Sequence, residues 1–404
     1  MGGRRVAVVY DLGSATPLEI RTAAGRACEV EFVGDSTRPH VAAAADGIRR
    51  FAGFTDLAGL DAEGRLKAVE ALAPDGVVTF SEYRLGETAE YAAALGLPGH
   101  SAEAVALLTD KLAQRRTLAA VSPVRFAGAG DVDAALAATG LPAVLKPRRG
   151  AGSAGTVRVD TAEELRGALS ELPVDDYLLE QLLTGDPATA GPGWGDYVSV
   201  ESVHTPAGSR QVCVTGKFPL DGFRETGMLL PSTLSEVDTE AVLALDATAT
   251  AALGLRHGLT HTEIKLTPDG PRIIEVNGRL GGYVPGILKQ ATGIDLVRVA
   301  LQVALGLEPR LPEPRWACVT YQLFLTPGDD GVLARVDGAD ELASLPGVQR
   351  VDLRARAGDH VDRRAGTQAL LGVVHGIAPD HDTLARTARR MTEVFRPIFE
   401  GSSR

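Results

Sequence analysis

The spacing Glu263-x11-Glu275-x-Asn277-x-Arg279 constrains this chain more than any other feature. It lies in HTEIKLTPDGPRIIEVNGRLGG, where two short apolar segments, THTEIKL and RIIEVN, flank the turn PDGP. That arrangement reads as a β-hairpin. Across a hairpin the two glutamates can lie opposite one another on one face, with Asn277 on the same face as Glu275. Two carboxylates and an amide oxygen are hard ligands suited to Mg²⁺, which takes few carboxylates and completes its shell with substrate phosphates. Arg279 follows where it could hold an anion that the metal has activated. The pattern points to phosphoryl transfer; a solvated acidic sheet face is the plain alternative. The run GRLGGYVPG after Asn277 packs four glycines into one turn, more than a solvent hairpin requires.

At 404 residues the chain allows two to four domains or subdomains with ample core. Its net charge of −11 repels phosphate backbones, so no nucleic-acid partner is expected. Cys28, Cys213 and Cys318 lie far apart without CxxC spacing, which implies neither a disulfide framework nor a zinc site. No apolar run reaches the length of about 18 residues that a membrane span needs, so no membrane partner is expected. The apolar stretch VAVVY near the start is shorter than the roughly 7–15 residues of a signal-peptide core. It reads as a first buried strand, and a reducing, cytoplasmic setting is the expectation.

Along the first hundred residues, RVAVVYD, CEVEFVGD and GVVTFSE alternate with the helical stretches SATPLEIRTAAG and EGRLKAVEALA. Strand–helix alternation predicts a small parallel α/β unit. No GxGxxG follows its first strand, so the dinucleotide fingerprint is missing. Residues 101–120 read as one long helix or a pair, opened by Ser101. Thr161-x-x-Glu164 carries a capping-box pattern. YLLEQLL reads as a buried strand or linker, 184–196 as a Gly/Pro-rich excursion, and YVSVESVHT and RQVCVTGKFP as antiparallel strands. Helices are expected over 238–254, 293–306 and HDTLARTARRMTEVF, and EPRLPEPR marks a boundary at 308–315.

A second constellation is LKPRRGAGSAG. Lys146 stands at a strand end before a loop in which Gly150, Gly152, Ser153 and Gly155 let backbone N–H groups approach phosphate oxygens. No GK[ST] follows, so this is not a Walker A loop. Alone it reads as a hairpin with a flexible tip. Paired with the downstream carboxylates, one element covers phosphates and the other holds their metal.

With these residues together, the chain resembles the ATP-grasp superfamily of carboxylate–amine ligases, especially the branch of L-amino acid (dipeptide) ligases and biotin carboxylase. The resemblance covers roughly residues 100–306. It rests on DK before a lid, a strand-end lysine, a Gly-rich flap, a hinge glutamate and the E-x11-E-x-N-x-R ending, in that order. It implies an ATP-grasp fold of the α/β class: a pre-ATP-grasp domain at 1–100, an ATP-grasp domain at 101–306 with a mobile α+β lid about 142–205, and a C-terminal α/β portion at 307–404. By resemblance, Lys111 and Lys146 reach the nucleotide phosphates, 150–155 is the flap, and Glu180 accepts from the adenine amino group. Asp196 stands where the family generally has a ribose-binding glutamate. Glu263, Glu275 and Asn277 match the ligands of two Mg²⁺ ions, and Arg279 the arginine that steadies the acyl phosphate and tetrahedral intermediate. Tyr283 stands where dipeptide ligases place an aromatic shaping the amine pocket. Lys217 contacts phosphate or carboxylate, or is a surface lysine. Arg224 forks onto a substrate carboxylate, or is a solvated loop arginine. His261 reads as a packing or supporting histidine. The implied activity joins a carboxylate, activated by ATP as an acyl phosphate, to an amine of a second amino acid, in a chain that could be a homodimer. The alternatives are a biotin-carboxylase-like or purine-pathway enzyme, or a nucleotide-binding protein without turnover. No biotinyl AMKM motif occurs.

Overall fold

The computed structural model describes residues 3–401. Its first unit is a parallel sheet in the order Gly53–Asp56, Glu29–Gly34, Arg5–Val9, Gly76–Val78. The central strand Arg5–Val9 is apolar and buried after its first residue, as expected where helices cover both faces of such a sheet. Helix Pro17–Ala24 starts where the Thr16 hydroxyl accepts from the Glu19 N–H and the Glu19 carboxylate accepts from the Thr16 N–H, a complete capping box. Strand Gly53–Asp56 escaped the sequence reading because it is an edge strand with no buried residue, so no apolar run marks it. Beyond strand Gly76–Val78, a single 3-10 turn, Glu82–Arg84, carries Glu82 out of the carboxyl edge of the sheet, where open α/β sheets place their ligands.

Where the lid is expected lies a separate antiparallel sheet, called the lid below, in the order Phe126–Gly128, Tyr177–Gln181, Ala143–Pro147, Val157–Val159. Helices Val132–Thr139 and Ala162–Leu169 close over a small core that includes Leu145, Leu165 and Leu179. Thr161 caps its helix by accepting from Glu164 N–H (3.1 Å), while the Glu164 carboxylate reaches the N–H of Asp160 (2.7 Å) rather than that of Thr161. Against the expected lid range of about 142–205, this sheet takes in Phe126–Gly128 and ends at Gln181. Strand Tyr197–Thr205 lies elsewhere: it pairs on both edges inside the large sheet, and all nine of its residues are buried.

That large sheet has eight strands, all antiparallel, in the order Gly270–Asn277, Gly258–Thr267, Tyr197–Thr205, Gly208–Lys217, Gly227–Leu230, Val319–Leu325, Gly372–Ala378, Val348–Leu353. The last three come from the expected C-terminal portion, so 307–404 continues the central sheet through the pairing of Gly227–Leu230 with Val319–Leu325. A further three-stranded sheet, His360–Val361, Gly331–Asp337 and Arg396–Phe399, also lies in this portion.

The Gly/Pro-rich excursion has a packing role. It contains the short helix Pro187–Ala190, and its Trp194 ring lies 5.5 Å from Phe218 and 6.0 Å from His381. Trp194 packs against both the core beneath helix Glu236–Ala252 and the core beneath helix His381–Val394. Trp194→Ala should therefore loosen two cores at once. The expected loss is on the order of 2–3 kcal/mol, below that of a fully enclosed tryptophan because the ring is partly exposed. Chemical denaturation measures it, and a change within experimental error would rule out the wedge.

Candidate active site

The hairpin pairs Glu263 directly with Glu275, and His261 with Asn277. An irregularity after Glu263 sets Ile264 opposite Ile273 and leaves Ile274 as the extra residue of a bulge. Like charges facing each other across strands repel, and cations from other elements gather around them. Lys111 Nζ lies 3.0 Å from the Glu275 carboxylate. It starts helix Lys111–Leu118, which Asp110 caps by accepting from the N–H groups of Leu112 and Ala113. Arg279 Nη2 donates to Asn277 Oδ1 (3.2 Å), and its Nε lies 3.2 Å from Glu82. Burial pushes the Glu82 carboxyl up to about 7, with Arg279 opposing.

Behind Glu263 stands a buried pair. His261 Nδ1 meets the Glu201 carboxylate, and His261 Nε2 lies 3.6 Å from Glu263. Burial disfavours the imidazolium, yet the Glu201 carboxylate outweighs it and raises His261 to about 9. Burial likewise opposes ionisation of Glu263, and His261 with Lys217 and Arg279 overcomes this, holding it at about 2. The Gly281 N–H donates to Glu201 (3.1 Å), and a Cβ on Gly281 would collide with both His261 and Glu201. Glycine is required there for close approach.

The opposite wall belongs to the lid. Lys146, on strand Ala143–Pro147, puts its ammonium 2.9 Å from Glu180. Arg115 grips the same carboxylate as a fork, Nε at 2.7 Å and Nη2 at 3.0 Å. Burial works to raise the Glu180 carboxyl, but Arg115 and Lys146 prevail and hold it at about 2. The flap adopts left-handed backbone at Gly150, Gly152, Ser153 and Gly155, which suits glycine and strains Ser153. Lys111 ties it down, donating to the Gly150 carbonyl (2.6 Å).

Between these walls lies a cavity of about 390 Å³. Of the residues singled out from sequence, Lys111, Lys146, Gly150, Gly152, Ser153, Glu180, Glu263, Glu275, Asn277 and Arg279 line it. The others stand back. Gly155 packs on Pro147. Asp196 is paired with Lys265 (2.6 Å), and it is Lys265 that faces the cavity. Lys217 is buried against Glu225 (2.6 Å), which lines the cavity in its place. Arg224 pairs with Asp221 (2.6 Å) and donates to the Arg363 carbonyl. Tyr283 sits at φ 65° before helix Val284–Thr292, its ring 5.0 Å from Phe324 and beneath Arg354. Sequence reasoning passed over Arg115, Glu82, Glu201 and Glu225. Arg115 was within reach, one helical turn from Lys111; the others carry no spacing signal.

No group of three or more His, Cys, Asp or Glu among the described residues is arranged to hold a metal. The set here is two carboxylates and an amide, and Lys111, His261 and Arg279 stand where positive charge is wanted. Such a donor set suits Mg²⁺, which draws its remaining ligands from water and phosphate. The lid pairing generates a pH prediction. Because the folded-state carboxyl of Glu180 is depressed, its contribution is complete above about 4.5 and is lost as pH falls toward about 2. Glu180→Gln removes it at every pH. The deficit in Tm of this variant should be largest near neutrality and shrink below pH about 4.5, followed by calorimetry; a deficit constant across that range would refute the ion-pair account.

A family model described as L-amino acid ligase C-terminal domain 2 matches residues 323–399. The chain is 28% identical over 275 residues to alanine–anticapsin ligase of Bacillus subtilis, across 61% of this chain and 58% of that protein's length. It is 31% identical over 240 residues to D-alanine–D-alanine ligase of Cupriavidus metallidurans, across 55% of this chain and 72% of that ligase. The crystal structure of L-amino acid ligase from Bacillus licheniformis shares the fold with a TM-score of 0.81, over 99% of this chain and 100% of that one, at 23% identity. With the paired carboxylates, the small sheet over them and the central sheet already in view, these likenesses agree: the chain belongs to the ATP-grasp superfamily of carboxylate–amine ligases.

Proposed function

We propose that this chain is an ATP-dependent ligase that activates the carboxylate of one amino acid as an acyl phosphate and joins it to the amine of a second. The observation carrying this reading is the meeting of Glu263, Glu275, Asn277 and Arg279 with Lys111 and Lys146 around one cavity beneath a glycine-rich flap. Lys111 and Lys146 are assigned to the nucleotide phosphates, with the N–H groups of 150–155 above them. Glu180 and the strand end after it, Gln181, Leu182 and Leu183, are assigned to the adenine, since all four line the cavity. Asp196 is assigned to the ribose, which requires it to share or leave Lys265. Glu263, Glu275 and Asn277 would hold Mg²⁺, whose charge offsets that of the phosphates being transferred.

A substrate carboxylate oxygen attacks the γ-phosphorus, and the bond to the bridging oxygen breaks with ADP as leaving group. The amine then attacks the acyl carbon, phosphate departs, and the amine loses a proton, leaving an amide. Arg279 offsets negative charge on the acyl phosphate and on the tetrahedral intermediate, held in place by Glu82 and Asn277. His261, kept protonated by Glu201, holds Glu263 ionised. The flap excludes water that would hydrolyse the activated carboxylate. Glu225, held by Lys217, lines the cavity and is assigned to a substrate amino acid, whereas Arg224 and Tyr283, which stand back from the cavity, are given no part in binding it. Three unpaired cysteines support a reducing, cytoplasmic setting. No helix among the described residues is long and apolar enough to cross a membrane.

The test is ADP release from Mg-ATP with pooled amino acids, with mass spectrometry of the products. A product mass equal to two amino acids less one water is expected. ADP release that requires bicarbonate instead would move the chain to carboxylation chemistry, and nucleotide binding without ADP release under any amino acid would point to a non-catalytic role. Arg279→Ala should lower kcat by about 10²–10³-fold with folding intact, the range for one lost donor to developing charge. An unchanged kcat would remove Arg279 from the chemistry.

A further inference from the structure

Strand Gly270–Asn277 is the outermost strand of the large sheet, so one row of its backbone groups meets no neighbouring strand. Side chains from 111–122 take that neighbour's place. Ser122 Oγ accepts from the Ile273 N–H (2.8 Å). Arg115 donates through Nη1 to the Ile273 carbonyl (2.6 Å) and through Nη2 to the Ile274 carbonyl (2.9 Å). Gln114 clasps Val276 on both sides, Nε2 donating to its carbonyl (2.9 Å) and Oε1 accepting from its N–H (2.8 Å). These contacts bracket Glu275 along the strand from both directions.

Arg115 also holds Glu180 of the lid through its Nε and Nη2. One buried guanidinium thus joins two separate elements that both line the cavity. Gln114, its neighbour on the same helix, bonds Val276 of the hairpin and the Leu107 carbonyl, with no bond to the lid. A planar guanidinium presents five donors in a fixed fork; a lysine ammonium in its place is a single compact charge and cannot serve both partners in the same geometry.

We propose that Arg115 is a positioning residue that couples the lid strand bearing Glu180 to the acidic hairpin, so that seating the nucleotide base sets how Glu275 is presented to the metal. The proposal rests on the ligase reading for the roles of Glu180 and Glu275. Displacement of strand Tyr177–Gln181 draws on Arg115, and Arg115 draws on the carbonyls of Ile273 and Ile274 beside Glu275.

The experiment is equilibrium binding of ATP to the full chain by calorimetry, without amino acids and therefore without turnover, first in a chelator and then across a Mg²⁺ titration. Arg115→Lys should weaken metal-free ATP binding about tenfold and raise the half-maximal Mg²⁺ concentration about tenfold, from losing one charge-assisted fork. Gln114→Ala should raise the Mg²⁺ requirement while leaving metal-free binding unchanged. A shift of only one quantity in Arg115→Lys, or of neither, would overturn the coupling. Should that variant fail to fold, Glu180→Gln leaves Arg115 on the hairpin and should still move both quantities; an unchanged Mg²⁺ requirement there overturns the proposal. Failure of the unsubstituted protein to bind ATP at all would sink the ligase reading, and this inference with it.

Discussion

Two glutamates placed face to face across adjacent strands form the constraint around which the structure is arranged. Such a pair repels, and burial of Glu263 sharpens the cost by removing water from its charge. The fold answers with cations from three places: Lys111 from a helix start, Arg279 from the turn after the hairpin, and His261 two residues from Glu263 on the same strand. Each is itself held. Lys111 bonds to the flap, Arg279 lies against Glu82 of the first domain, and His261 pairs with Glu201. Charge at one hairpin therefore recruits the lid, the N-terminal sheet and the middle of the central sheet.

The lid wall follows the same logic with the signs reversed. Glu180 is a single buried carboxylate between two cations, Arg115 and Lys146. Removing one partner of a buried pair typically costs about 3–5 kcal/mol, because the survivor is stranded without water or counter-charge. Such an arrangement is a poor choice for stability alone, since apolar residues of similar volume would serve as well. Its placement in the wall of the cavity makes sense if those charges are there to be used. Burial lowers the proton affinity of Lys146, with Glu180 opposing, so the ion pair keeps available a charge that desolvation would otherwise weaken.

Elements whose residues carry their own instructions were legible in the chain. The hairpin was readable because the Pro-Asp-Gly turn and two alternating segments leave little other choice, and two capped helices because Ser101 and Thr161 announce their first turns. The parallel N-terminal strands were readable as apolar runs. Strand Gly53–Asp56 was not, because an exposed edge needs no apolar pattern. The lid boundary was misjudged where YVSVESVHT follows the excursion at 184–196: strand propensity says that this segment is a strand but not which sheet receives it. Likewise the last three strands of the large sheet were read only as part of a C-terminal α/β portion, since pairing between Gly227–Leu230 and Val319–Leu325 leaves no local mark.

The sequence by itself determined the chemistry on offer: carboxylates at hairpin spacing, a lysine at a strand end, and glycines where the backbone must be left-handed or closely approached. Those depend on residue type and on neighbours a few positions away, which is the range over which propensity and turn geometry act. Only the tertiary structure decided which charges meet. Glu82 reaches Arg279, Arg115 joins Glu180 to the hairpin, Glu201 pairs with His261, and Asp196 turns to Lys265. Coulomb attraction and hydrogen bonding act over a few ångströms, and such separations between distant elements exist only after the sheets have packed.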